Sequence, residues 1–96
     1  MQSILQKHKY CLICQTEQNL HLHHVFYGTG RRKISDKYGL TVWLCANHHN
    51  MSDYGVHTCT EVDKKVKQWA QKKAMKHYAW SREDFIKIVG KNYLEV

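Results

Sequence analysis

Two short residue pairs in this chain have the spacing of metal ligands. Cys11 and Cys14 form a C-x-x-C pair, and Cys45 and His48 form a C-x-x-H pair further along the chain. Three thiolates and one imidazole, supplied by two turns, complete the tetrahedron that structural zinc accepts. The spacing therefore predicts a structural Zn²⁺ site at these four residues. Cys59 is left over, either as an alternative ligand or, as we favour, as a core thiol.

Three further histidines lie close to these pairs in sequence. His23 and His24 are adjacent, and His49 follows His48 directly. Phosphodiester hydrolysis needs a cation against the scissile phosphate and a base that deprotonates water. Neighbouring residues of a strand point to opposite sides, so one histidine of the pair can bind an ion while the other acts as the base. A second, purely structural zinc is the alternative interpretation.

The chain is strongly basic. Among 96 residues, 15 are Lys or Arg and 8 are Asp or Glu, which gives a formal net charge of +7. Such a charge attracts polyanions through phosphate contacts, so nucleic acid is the expected partner. Arg31, Arg32 and Lys33 follow two glycines and could run along a phosphate backbone. The alternative is an ordinary solvated loop.

The amino-acid pattern predicts no membrane segment. No stretch approaches the ~18–20 apolar residues of a membrane span, and the N-terminal residues lack the apolar region of a signal peptide. We therefore expect a cytoplasmic protein, where reduced cysteines bind metal more readily than they form disulfides.

The elements that must position these side chains can be predicted in outline. Residues 19–27 alternate apolar and polar positions and are predicted to form a strand, with His21, His23 and Val25 on one face. Residues 40–45 are rich in β-branched and aromatic types and predict a second strand, which leads into one or two helical turns at 46–53. For residues 28–39 we predict no regular element.

The remainder of the chain is predicted to be helical. A helix is expected from about 61 to 78, since apolar positions recur there at three- and four-residue spacing. These positions are Val62, Val66, Trp69, Ala70, Ala74 and His77. Ser81 and Asp84 resemble a capping box that opens a last helix, which Gly90 ends. We predict one domain over 1–96, with a metal core at about 11–57 and a helical part at about 61–94.

The order and spacing of three motifs, C-x-x-C, LHHVF and LTVWLCANHH, resemble the HNH (His-Me finger) endonuclease family. The similarity is greatest to the phage recombination-associated, Ref-like subgroup, and it covers residues 11–57. It implies an α+β fold in which a zinc-bound ββα-metal core grips one catalytic Mg²⁺ or Mn²⁺ ion, followed here by two C-terminal helices. It also implies a DNA endonuclease of phage or prophage recombination, with recombination proteins or a second copy of the chain as further partners.

The resemblance assigns individual roles. The general base falls on His24, and ligands of the catalytic ion fall on His23 and His49. The third ligand is open between His57 and Asp53, and we favour His57.

One position departs from the family pattern. Leu40 stands where the family has the Asn of its name, so the contact that orients the base must come from elsewhere. Two other interpretations therefore stay open. One is a non-catalytic zinc-binding module for nucleic acid, and the other is a protein-binding accessory factor with a decayed HNH core.

Overall fold

The computed structural model describes residues 2–53 and 55–94 of the chain and has α+β architecture. Two strands come first, separated by a short helix, and a single turn of π-helix joins the second strand to the C-terminal helices. In chain order the elements are β1 (Leu20–His24), α1 (Arg31–Tyr38), β2 (Thr41–Cys45), the π-turn (Asn47–Met51), α2 (Thr60–Tyr78) and α3 (Arg82–Val89).

The two strands form an antiparallel sheet, as their sequence patterns indicate. Leu20 pairs with Cys45 at one end and His24 with Thr41 at the other. Because successive side chains alternate between the faces of a strand, His23 is buried while its neighbour Leu22, on the other face, is exposed. The first strand is shorter than the predicted 19–27, and both predicted strands are confirmed in type and order.

Helix α1 corrects the prediction that residues 28–39 form no regular element. Its eight residues RRKISDKY offer little apolar surface, so no helical stripe marks them. The helix is attached by Ile34 and Tyr38, which are partly buried against the core. It is also attached by the buried Ser35, whose hydroxyl donates to the Phe26 carbonyl (2.6 Å) and accepts from the Phe26 amide (3.0 Å). Gly39 ends it with a φ of 71°, which favours glycine.

The hydrophobic core lies between the sheet and the C-terminal helices. Phe26, which follows β1, meets Phe85 of α3 edge-on with ring centroids 5.3 Å apart. The other fully buried apolar side chains come mainly from β2, from residues next to the two strands and from α2, among them Val25, Leu40, Val42, Leu44, Ala70 and Ala74. The core therefore holds the inner side of β1 and β2 against α2 and α3, and this fixes the strand that carries His23.

The predicted C-terminal helices are confirmed with small changes. The Ser81 side chain accepts from the Asp84 amide and the Asp84 side chain accepts from the Ser81 amide, so the capping box is complete. In α2, His77 is exposed, against its predicted apolar position, whereas Gln71 is buried. Gln71 is tolerated there because its amide donates to Asn92 Oδ1 (2.7 Å) and its carbonyl accepts from the Tyr93 amide (2.8 Å).

None of the helices described is both long and apolar enough to cross a membrane.

Candidate metal centres

The four residues of the predicted zinc site come together. The Cys14 and Cys45 sulfurs are 3.7 Å apart, and His48 Nδ1 lies 3.1 Å from Cys45 Sγ and 3.7 Å from Cys11 Sγ. All four ligand atoms lie within 4.8 Å of one another. This closed cluster, as we call Cys11, Cys14, Cys45 and His48, could hold a metal ion such as zinc. Cys59 lies outside it.

Backbone hydrogen bonds shape the cysteine turn and tie it to the sheet. The Gln15 amide donates to the Cys11 carbonyl (2.8 Å), which closes the turn, and the Leu12 amide donates to the Trp43 carbonyl of β2 (2.9 Å). Burial raises the pKa of the Cys11 thiol, but amides of Cys14, Cys45 and Ile13 outweigh it and bring that pKa to about 6. Cys11 is therefore disposed to be the thiolate that a metal ion requires.

The π-turn connects this cluster to a second one. His48 and His49 are adjacent on the turn, and His48 joins the closed cluster while His49 contacts other histidines. The segment after the turn runs back alongside it, since the Val56 amide donates to the His48 carbonyl (2.9 Å) and the His57 amide to the His49 carbonyl (3.0 Å). A Cβ at Gly55 would lie 2.9 Å from the His49 carbonyl oxygen, so only glycine permits this approach.

The second cluster consists of His23, His49 and His57, whose ligand nitrogens all lie within 4.8 Å of one another. We call it the open cluster, because His57 is exposed and the group borders a cleft. The Nε2 atoms of His49 and His57 are 3.1 Å apart. His23 is 2% exposed, and its Nε2 has no hydrogen-bond partner among the described residues. A buried nitrogen without a partner is costly unless a ligand satisfies it, so the three imidazoles fit a metal ion.

Burial and neighbouring groups lower the pKa of two imidazoles of the open cluster, those of His23 and His49. Burial, and secondarily the neighbouring His57 and His49, lower the pKa of His23 to about 3. Burial and His57 also lower the pKa of His49 below its ordinary value. Neutral imidazole has a free lone pair, so both rings are available as metal ligands at neutral pH. Asp53, the alternative third ligand, does not belong to the group, whereas His57 does.

His24 stands beside the open cluster without joining it. Its Nε2 faces Asp36 Oδ1 of α1 at 3.7 Å, and its ring lines the same cleft as the three histidines of the open cluster. Leu22, Tyr27 and Arg32 complete the lining of that cleft. The adjacent His23 and His24 thus lie in different environments, His23 in the open cluster and His24 beside Asp36, as strand alternation predicts.

The basic triplet begins helix α1 rather than lying in a loop, which corrects its predicted setting. Arg32 lines the cleft, and both Arg32 and Lys33 line an adjoining groove next to His24. Arg31 points elsewhere, because its guanidinium lies 3.5 Å from the position of a Cβ on Gly90. Of the three predicted phosphate contacts, Arg32 therefore borders the cleft, Lys33 borders only the adjoining groove, and Arg31 packs at the end of α3.

Sequence reasoning missed Tyr27 as a wall of the cleft. Its ring centroid lies 4.9 Å from that of His57 and 5.7 Å from that of His23. The Tyr27 hydroxyl donates to Asp63 Oδ2 at 2.9 Å, and burial together with this carboxylate raises the pKa of Tyr27 to about 12. Tyr27 therefore stays a neutral phenol. Tyr27 lies at the end of the predicted strand 19–27, and this position was the sequence signal that could have placed it near His23.

Asp36 and His21 were also missed as contacts of the site. Asp36 had no sequence signal, because α1 itself was not predicted. His21 had a sequence signal, since it lies two residues before His23 and so on the same side of the strand.

No protein-family profile, curated protein or solved structure matches this chain.

Proposed function

We propose that this protein is a metal-dependent DNA endonuclease of the HNH type, with a ββα-metal core at residues 11–57. One observation carries the proposal: three clustered histidines face a cleft that a fourth histidine and an arginine also line. A metal ion, a base and a cation against phosphate are the groups that phosphodiester hydrolysis requires. The closed cluster would be structural and hold zinc.

The donor set bears on the identity of the second ion. Three imidazoles without a carboxylate suit Zn²⁺, Ni²⁺ or Co²⁺ better than Mg²⁺ or Mn²⁺, which prefer oxygen ligands. Three protein ligands also leave coordination positions for water and phosphate, as catalytic sites do. A divalent ion held by His23, His49 and His57 would stabilise negative charge on the phosphate and on the departing oxygen. We therefore propose an imidazole-preferring ion in place of the Mg²⁺ or Mn²⁺ that the resemblance implies.

His24 is the base in this proposal. The Asp36 carboxylate faces Nε2 of its ring, so Nδ1 is the nitrogen that we assign to the attacking water. Leu40, at the position of the family Asn, is buried in the core and has no polar side-chain group to offer. We propose that Asp36 orients the base instead, from a helix that the family motif does not include.

The charge around the cleft supports DNA as the substrate. Arg32 borders both the cleft and the adjoining groove, and Lys33 borders the groove. A phosphate in the cleft would therefore have a guanidinium beside it, and the net charge of +7 attracts the strand from a distance. A role in phage recombination, and recombination proteins or a second copy as partners, remain part of the proposal by resemblance alone.

A non-catalytic zinc-binding module for nucleic acid is the second candidate. The all-nitrogen donor set favours it, because two tightly bound zinc ions would suit such a module as well. A closed structural zinc site has four protein ligands, however, and the open cluster has three among the described residues. Metal analysis separates the candidates: two zinc ions that resist a chelator favour the module, and one resistant zinc plus an exchangeable ion favours the nuclease.

A plasmid-nicking assay tests the proposed activity. The purified protein is incubated with supercoiled DNA and Zn²⁺, Ni²⁺, Co²⁺, Mn²⁺ or Mg²⁺, or with EDTA, beside a His24→Ala variant. Loss of the base should slow cutting by roughly 10²–10⁴-fold. His8→Ala is the matched control, because His8 is an exposed histidine outside both clusters. Equal cutting by parent and His24→Ala, or no cutting with any ion, would refute the proposal.

A further inference from the structure

One further histidine, His21, contacts a member of the open cluster, His49, from outside the cluster. His21, exposed on β1, has its Nδ1 3.0 Å from Nδ1 of His49, and the two rings meet edge-on at 84° with centroids 5.2 Å apart. His21 does not belong to the open cluster itself. Its contact with His49 is a hydrogen bond between two imidazoles, and one of the two nitrogens must carry the hydrogen.

The two nitrogens of His49 face different neighbours. Nε2 lies 3.1 Å from Nε2 of His57, inside the open cluster, while Nδ1 lies against His21. A nitrogen that binds a metal ion uses its lone pair, so the hydrogen of a ligating His49 must be on Nδ1. That hydrogen then points at His21 Nδ1, which accepts it. Histidine ligands commonly donate their second nitrogen to an acceptor in this way, and the acceptor fixes tautomer and ring orientation.

We infer that His21 is a positioning residue of the second metal centre, which accepts a hydrogen bond from His49 Nδ1 and so presents His49 Nε2 to the ion. The inference rests on the metal-binding part of the proposed function. The acceptor is unusual in being a neutral imidazole rather than a carboxylate or a carbonyl. His21 therefore orients His49 without adding negative charge to the metal site.

Isosteric substitutions test the geometry of this contact. The Oδ1 of asparagine occupies nearly the position of histidine Nδ1, whereas the polar atoms of glutamine lie nearer that of Nε2. Since the contact uses Nδ1, His21→Asn should keep the acceptor, and His21→Ala and His21→Gln should lose it. His21 is exposed, so none of the three substitutions removes core packing.

The measurement is Co²⁺ binding to the protein that carries zinc in its closed cluster, by calorimetry and by the visible spectrum of the bound Co²⁺. We expect His21→Ala and His21→Gln to weaken binding by roughly 10–100-fold and to alter the spectrum. His21→Asn and the control His8→Ala should match the parent. Unchanged affinity and spectrum in His21→Ala would overturn the inference, and so would failure of His21→Asn to retain them.

These results are separate from the outcome of the cutting assay. A parent that binds Co²⁺ but does not cut DNA would refute the nuclease and leave the role of His21 to be judged from binding. A parent that binds no ion beyond its zinc would refute the second centre and the role of His21 together.

Discussion

The closed and open clusters lie on either side of one π-turn and differ in what surrounds them. The closed cluster combines three sulfurs with one nitrogen, and Cys11 and Cys45 are buried against the core. The open cluster has nitrogens alone, and its members border a cleft. Full coordination by buried thiolates suits a structural ion, while incomplete coordination beside a cleft suits an ion that meets substrate. The neighbouring His48 and His49 therefore belong to two clusters with different ligands and surroundings.

The clusters also differ in how they are assembled. The closed cluster joins two turns that are each local in sequence. The open cluster joins β1, the π-turn and the segment after Gly55, and its surroundings include α1. We therefore expect the closed cluster to dominate stability, and the open cluster to depend on several weaker contacts.

The largest effect should follow from removal of a ligand of the closed cluster. Structural zinc contributes apparent binding free energies of about 10–16 kcal/mol in small domains, so Cys45→Ser should abolish cooperative thermal unfolding. Calorimetry and zinc analysis are the measurements. Cys59→Ser is the matched control, because Cys59 lies outside both clusters. A cooperative transition in Cys45→Ser near that of the parent would show that the closed cluster is dispensable for folding.

The next effect concerns stability against pH. The pKa of His23 is about 3 when folded and about 6.5 in a model peptide, so the unfolded chain binds the proton more readily. The stabilisation from neutral His23 is complete above pH 6.5 and is lost as pH falls toward 3, at about 1.4 kcal/mol per pH unit and on the order of 5 kcal/mol in all.

Urea unfolding at several pH values, with no divalent ion added, measures this loss. Protonation of the closed cluster contributes equally to the parent and to His23→Gln, so the difference between their slopes isolates one proton. We expect the unfolding free energy of His23→Gln to fall less steeply as the pH is lowered, by the slope that one proton contributes. Parallel slopes would mean that His23 is protonated as easily in the folded protein as in the unfolded chain.

A substitution at Gly55 should damage the open cluster selectively. A Cβ there would lie 2.9 Å from the His49 carbonyl oxygen and 3.0 Å from that of Asn47, so the segment that carries His57 must move. We expect Gly55→Ala to cost about 1–3 kcal/mol in stability and to weaken Co²⁺ binding while zinc stays in the closed cluster. Gly28→Ala is a useful comparison, since its Cβ would meet nothing within 4 Å, although its φ of 103° adds strain. Tight Co²⁺ binding by Gly55→Ala would contradict the close approach.

The smallest effect is expected at Asp36. The carboxylate is 65% exposed and 3.7 Å from His24, and exposed pairs contribute roughly 0.2–1 kcal/mol, so Asp36→Ala should lower kcat only a few-fold. KM should be unchanged if Asp36 orients the base and does not bind DNA. Asp36→Asn should restore most of the activity, because an amide oxygen can also accept from the ring. A change confined to KM would exclude the positioning role.

Much of the closed cluster could be predicted from sequence, since its information is local. A C-x-x-C or C-x-x-H pair lies on one turn, so the spacing itself predicts that both ligands face one point. The strands, α2 and the capping box before α3 were predictable for the same reason, because alternation and helical spacing describe side chains a few residues apart. His77 shows the limit, since spacing alone could not distinguish its exposed face from that of the buried Gln71.

The sequence by itself thus determined the local units. These are the two ligand pairs of the closed cluster, the strands β1 and β2, the helices α2 and α3, and the positive net charge. Only the tertiary structure decided that α1 exists and brings Arg32 to the cleft and Asp36 to His24. The helix is attached by one buried hydroxyl and two partly buried side chains, and these leave no periodic pattern in the sequence. It likewise placed His57, and not Asp53, beside His23 and His49, since the close approach at Gly55 brings the following segment alongside the π-turn. Contacts between distant segments depend on shape complementarity, which spacing along the chain does not record.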